Sequence, residues 1–435
     1  MGHSEMILAV AGLDELGLKD RVSKLAGGDW SSFKPAERAG LFFARKLSRT
    51  PWEVRQEDAD TLVAHLGPER ALETVWYVCW CNYMTRVADA FQIPLEQENV
   101  FMRPKGSVAY VPVLTDAEAW KKLPPAEEGS GQRLPAWVRA LAGPLPKTAA
   151  AMIQWDYAQR AESPLPPLLR AKLRWMTAQA NRCAYAKAYA RADYVRAGGQ
   201  AEDIDNLARG LDKLPEAERL ALQVMRQLAE AAYTLTDSQM DRLLQLYGEE
   251  QVAAMVLLAA YANFQDRLLL AFGVSVEPDG PLAPCKVRFR KPPPPDKSAA
   301  PEKGSADAKA KAPPGRKLSP PSPNPPAVPE KVEDPEWTGI SVDTLRELMK
   351  QQIARRKARI RLPDPESVRA RLPPEMPQPE KQVQIVWYLV TFGYQPRLTE
   401  AWSRGGRAFR EDSDLDRVHA GSLFWVVTRS CMCFY

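Results

Sequence analysis

The chain ends Ser430-Cys431-Met432-Cys433-Phe434-Tyr435 and begins Met1-Gly2-His3-Ser4-Glu5. Joined end to end with one further cysteine between them, the two stretches read Cys-x-x-Cys. A histidine follows within a turn, and then a helical pattern that runs to glycine. Two thiols at i, i+3 on a helix share one face, and the positive helix end lowers the pKa of the leading one. Such a pair suits thiol–disulfide exchange or peroxide reduction, in which one sulfur attacks and the other resolves the sulfenic acid. In this reading Cys433 is the nucleophile, and His3 lies about one turn past the position of the second sulfur. Both ends fall at the same point of the motif. An open reading frame bounded by two UGA codons would produce that coincidence, because UGA is one base from the cysteine codons and also encodes selenocysteine. The expectation is a longer tandem array broken at those codons, with a truncated paralogue as the alternative.

The remaining chemistry-bearing residues are few. Cys183 is a lone thiol, and the ordinary place for a lone thiol is a packed core. Cys79 and Cys81, in Trp76-Tyr77-Val78-Cys79-Trp80-Cys81-Asn82, read as core packing, and Cys285 reads as incidental in a tail. Cys431 and Cys433 are one residue apart, so on a helix they would point about 200° apart. That suits neither a disulfide nor a shared metal. His65 reads as a surface residue near a helix end, and His419 has no assigned role. Three scattered histidines without ligand spacing argue against structural zinc, so neither metal nor cofactor is expected. Asn82 with Arg86 and Asn263 with Arg267 recur at i, i+4. Each arginine is expected to pair with a carboxylate or a helix end. There is no phosphate-binding glycine loop, no G-x-G-x-x-G after a strand and no G-x-S-x-G.

Composition sets the bounds. The 435 residues, 45% of them apolar, suffice for two or three cored domains. The net charge of +5, from 59 basic and 54 acidic residues, is too mild to imply nucleic acid. No segment reaches the roughly 20 apolar residues of a membrane span; the best run, Val252 to Ala262, reads as a buried helix. No basic region precedes an apolar one at the N-terminus, and 6 cysteines do not make a disulfide scaffold here. The expected compartment is the cytoplasm.

An internal repeat organises these residues. Arg38 matches Arg219, an offset of 181 positions that continues through Arg45/Arg226, Asp60/Asp241, Gly67/Gly248, Asn82/Asn263, Arg86/Arg267 and Phe91/Phe272. Each copy reads as three helices: Glu37 to Leu47, Gln56 to Leu66 and Arg70 to Phe91, and their counterparts Glu218 to Leu228, Thr236 to Tyr247 and Glu250 to Phe272. Thr236 is the N-cap candidate, Gly67 and Gly248 are the stops, and the third helix is apolar enough to be central. Upstream, Leu165 to Ala197 reads as a near-continuous helix ended by Gly198-Gly199. At a second offset of 250, Leu423, Trp425, Cys433 and Tyr435 match Leu173, Trp175, Cys183 and Tyr185. Residues 1–95 therefore read as the second half of a repeat, 96–134 as a connector and 135–275 as a complete repeat. The dense Pro, Lys, Ala, Ser and Glu of 290–335 read as a disordered linker, and 336–435 as the first half of a repeat. The expected fold is all-α, with one continuous unit and one assembled from the N- and C-terminal blocks.

At these residues the chain resembles the AhpD-like, or carboxymuconolactone decarboxylase-like, family. Its pattern is a glutamate, then C-x-x-C twelve residues later, then a histidine on the same helix. In the complete repeat these positions fall on Ala171, Cys183, Ala186 and Ala190. In the split repeat they fall on Gly421 (with His419 close by), Cys433, no residue, and the His3-Ser4 region. The resemblance implies an all-helical, often oligomeric thiol peroxidase or disulfide reductase, with Cys433, His3 and Cys183 as its site residues. A peroxide would be the substrate, and a dithiol protein or small thiol the reductant. The incomplete motif implies an impaired or inactive centre. The alternatives are a non-catalytic helical interaction protein and a decarboxylase acting on a lactone.

Overall fold

Proline at the first helical position and glycine at a break punctuate the chain, and the computed structural model follows that punctuation. It describes residues 2–11, 13, 15–93, 113–290, 319–372, 385–413 and 415–433. The N-terminal block holds α1 (Gly2–Val10), α2 (Glu15–Gly27), α3 (Pro35–Arg49) and α4 (Gln56–Phe91). The middle block holds α5 (Asp116–Lys122), α6 (Ala136–Leu141), α7 (Pro146–Tyr157), α8 (Pro167–Ala180), α9 (Ala184–Arg196), α10 (Ala201–Asp205), α11 (Glu216–Ala231) and α12 (Asp237–Phe272). The C-terminal block holds α13 (Pro335–Thr338), α14 (Val342–Arg355), α15 (Pro365–Arg371), α16 (Val386–Tyr394), α17 (Pro396–Asp412) and α18 (Arg417–Ser430). The fold is all-α. Its strands among the described residues are β1 (Ala126–Glu128) and β2 (Arg288–Phe289), paired antiparallel.

The repeat is visible in the backbone. α3 and α11 begin 181 positions apart, and α4 and α12 both begin and end 181 apart. α8 and α18 begin and end 250 apart. The glycines read as stops are kinks inside α4 and α12, with φ 77°, ψ 153° at Gly67 and φ 75°, ψ 164° at Gly248. Only glycine adopts that backbone freely. Thr236 caps α12 through a capping box with Gln239.

The near-continuous helix read over 165–197 is instead two helices. α8 stops where Arg182 turns to φ 54°, and Cys183 N–H closes back on Ala178 O at 2.9 Å. α18 stops identically, with Met432 at φ 54° and Cys433 N–H on Thr428 O at 2.9 Å. A left-handed residue after the last turn is a standard helix stop, though usually a glycine. No glycine marks this one, so periodicity alone ran through it. Cys431 and Cys433 therefore sit in a turn, and the 200° separation expected on a helix does not apply.

α9 packs on α8, and α1 packs on α18 in the corresponding place. Leu8 is fully buried, and its side chain fills the space a Cβ at Gly421 would need. Trp425 Nε1 donates to Glu5 Oε1 at 3.4 Å. α4 and α12 run against each other at the centre, where Trp76 meets Phe264 edge-on. One face of α4 carries Trp76, Trp80 and Tyr83. Trp76 stacks on Phe409 at 4.0 Å and Trp80 on Trp402 at 4.5 Å, tying the N-terminal block to α17. By length and composition α12 alone among the described helices could cross a bilayer, but its apolar window is 89% buried inside the molecule.

The expected disordered linker is ordered in part. Its residues 291–318 lie outside the described ones, whereas 319–335 form a strap across the N-terminal block. Ser322 N–H donates to Ala64 O, Trp30 N–H to Glu330 O and Val332 N–H to Gly28 O. Val328 and Val332 of the strap are buried, as is Trp337 just after it. An extended proline-rich segment has unpaired backbone groups, and here a few apolar residues and backbone bonds hold it down.

Candidate functional site

The C-terminal turn delivers Cys431 and Cys433 to the middle of α4. Cys433 is 1% exposed, with its sulfur 3.9 Å from Thr85 O. Cys183, its counterpart, is equally buried, and burial together with nearby Asp266 pushes its thiol well above the usual range. Burial also raises Cys79 and Cys81 strongly, and Cys285 to about 11. Cys431 differs from the other cysteines in being half-buried. Its sulfur accepts a hydrogen bond from Arg86 Nη1 at 2.8 Å and lies 3.5 Å from Asn82 Oδ1.

Two helix-borne clasps, related by the 181 offset, meet there. Arg86 Nη1 donates to Asn82 Oδ1 at 2.8 Å, and Arg267 Nη1 donates to Asn263 Oδ1 at 2.7 Å. Each asparagine is fixed in turn by its own amide: Asn82 Nδ2 donates to Val78 O, and Asn263 Nδ2 to Ala259 O, both at 2.8 Å. Ser48 joins the clasps, accepting from Asn82 Nδ2 at its hydroxyl (2.9 Å) and from Arg267 Nη2 at its carbonyl (3.4 Å). Arg86 and Arg267 are 5% and 1% exposed. Burial first, then the neighbouring Arg86 guanidinium, brings Arg267 down to about 9.

The two units diverge at one point. In the continuous unit Asn181 occupies the turn position that Cys431 holds in the other. Its amide donates to Asp266 Oδ2 at 2.9 Å, and its oxygen accepts from Arg267 at 3.4 Å. Arg174 also pairs with Asp266. The split unit has Thr85 where Asp266 stands and Phe424 where Arg174 stands. A thiol thus replaces an amide, and the local carboxylate is gone. Of the two expected partners, a carboxylate or a helix end, Arg86 meets the second: it bonds to Asn82 and to Cys431, the C-cap of α18, and among the described residues no carboxylate lies within ion-pair distance of it.

The other anticipated residues fall elsewhere. His3 belongs to the first turn of α1, so its backbone is on the helix packed against α18; its side chain lies outside the described residues. Ala171 and Gly421, at the family's glutamate position, are buried, as are Ala186 and Ala190. His419 sits at the opposite end of α18 from the thiols. It is buried near Arg21 and Asp416, with Nδ1 3.9 Å from Glu37 Oε1, and burial brings it down to about 4. His65, expected at the surface, is 7% exposed and bonds to Pro326 O under the strap. Cys285, expected in a tail, is 7% exposed against the middle block. No group of three metal-ligating side chains occurs among the described residues.

Sequence reasoning passed over Cys431. The signal was present in the register: offset 250 sets Cys431 opposite Asn181, and offset 181 sets Arg86 opposite Arg267. Comparison of the chain with family models, characterised proteins and solved structures yields no match.

Proposed function

We propose that this chain is a thiol-dependent redox protein of the AhpD-like kind, a peroxidase or disulfide reductase, with Cys431 rather than Cys433 as the reacting sulfur. The observation that carries this reading is the bond from the buried Arg86 guanidinium to the half-buried Cys431 sulfur. The bond sets a cationic donor against a sulfur that is not sealed in the core. Asn82 holds Arg86 in place, so the donor is already oriented when a substrate arrives.

In the step proposed, the Cys431 thiolate attacks the terminal oxygen of a hydroperoxide. The O–O bond breaks, the alkoxide leaves and takes a proton from solvent, and Cys431 becomes a sulfenic acid. A dithiol protein or small thiol returns it to the thiol, releasing water and becoming a disulfide. Cys183, Cys79 and Cys81 stay protonated and packed, and act as core.

The test is chemical trapping. The intact chain is treated with hydrogen peroxide and a sulfenic-acid-specific dione, and the adduct is mapped by mass spectrometry. The expected result is labelling at Cys431, lost in Cys431→Ser and reduced about tenfold in Arg86→Met. No adduct at Cys431 overturns the reading.

A second reading is favoured by the burial of Cys183 and Cys433, each no more than 2% exposed. It makes the chain a non-catalytic helical scaffold that has kept the fold and lost the chemistry. The same trapping experiment separates the two.

A further inference from the structure

The central pair of arginines has no carboxylate bonded to it among the described residues. Arg86 and Arg267 lie at the α4–α12 contact, are tied through the same Ser48, and are both more than nine-tenths buried. The Nε of each is buried and has no hydrogen-bond partner. Asp266, whose charge acts on Arg267, is already engaged by Arg174 and Asn181. Cys79, also nearby, is held as a neutral thiol. Like charges buried together without an anion are unstable unless one is supplied. Cys431, bonded to Arg86, is the half-buried member of this cluster.

We propose that Arg86 and Arg267 form a clamp for a small anion beside the Cys431 sulfur, so that the electrophile met by that sulfur carries a carboxylate or phosphate group. The inference rests on Cys431 being the reacting sulfur and adds the class of molecule it receives. Guanidinium groups suit planar oxyanions because their donors lie in a fixed fork. Asn82 and Asn263 hold both forks rigid, so little ordering is needed on binding. In the continuous unit the equivalent positions hold Asn181 and Asp266, which bond to each other, whereas the split unit holds Cys431 and Thr85 there.

The experiment compares two alkylating agents on the full chain, iodoacetate and neutral iodoacetamide. In each the Cys431 thiolate displaces iodide to form a carbon–sulfur bond, so only the charge of the reagent differs. Rates at Cys431 are read by mass spectrometry and expressed as a ratio, which cancels any change in thiolate content. The expected ratio favours iodoacetate by about tenfold over the same ratio in the urea-unfolded chain. Inorganic phosphate should slow iodoacetate selectively. Arg267→Met should bring the ratio to the unfolded value, and Arg267→Lys should retain part of it, with thermal melts confirming that both variants are folded. An equal ratio in folded and unfolded chains, with no phosphate protection, overturns the clamp. That outcome is distinct from failure of the redox reading: sulfenic acid at Cys431 with a flat ratio leaves the redox function standing, and an iodoacetate preference without sulfenic acid does the reverse.

Discussion

At the scale of single residues, the polar groups of this molecule divide by whether burial left them a partner. Glu277 is buried but accepts from Tyr185, Tyr189 and the Ala136 amide, so its lone pairs are used. Asp156 is likewise satisfied by Tyr261, Gln265 and Arg160. His419 has neither ring nitrogen bonded, and packs against the space above Gly40. It remains neutral in the fold down to about pH 4, against an ordinary 6.5 in the unfolded chain. Between those values the unfolded chain binds a proton that the native one refuses, so stability falls as pH drops through that window and levels off below it. The contribution amounts to about 3 kcal/mol. Urea midpoints at pH 7, 5.5 and 4.5 should show this slope, and His419→Leu should flatten it. An unchanged slope in the variant would mean that His419 is not the group that titrates.

At the scale of elements, the kinked pair α4 and α12 sets the geometry of the site. Gly67 and Gly248 each take a backbone conformation open to glycine, and each redirects the chain into the central helix that carries the clasp. Alanine at either should cost about 1–3 kcal/mol. The two are not equivalent. A Cβ at Gly67 would lie 2.5 Å from Ser319 O in the strap, whereas one at Gly248 meets nothing within 4 Å. Gly67→Ala is therefore expected to destabilise more than Gly248→Ala in denaturant titrations, and to expose the strap to protease. Equal costs would mean that the strap yields freely. Much of this level was legible beforehand. The offsets of 181 and 250 predicted the helix pairs, and the Thr236 cap and both glycines lie where periodicity set them. The αL stops at Arg182 and Met432 were not legible, because that conformation in a residue with a Cβ is imposed by packing rather than by local preference.

At the scale of the whole molecule, one large apolar core runs through both units, from Leu8 through Trp76 and Trp155 to Leu257 and Trp425, with a small separate cluster of Val368, Leu372, Leu389 and Phe392. The first and last helices close on each other, with Leu8 seated against Gly421. Leu8→Ala should leave a cavity worth about 3 kcal/mol. Because the core is shared, the loss should appear equally in far-UV circular dichroism and in tryptophan fluorescence, as one coincident transition. Separate midpoints would mean that the two units unfold independently.

What the amino-acid order determined by itself was the all-α class, the internal repeat and its register, and the pool of six cysteines from which chemistry could be drawn. Those properties follow from helical periodicity and from Gly, Pro and Thr acting locally, within a few residues of each other. Which sulfur meets a cation, and which is sealed in the core, depended on contacts between residues hundreds of positions apart. Arg86 reaches Cys431, and Arg267 reaches Ser48, only once α4, α12 and the C-terminal turn have packed. Burial and electrostatic pairing are properties of that assembled interior, so they were decided by the tertiary structure.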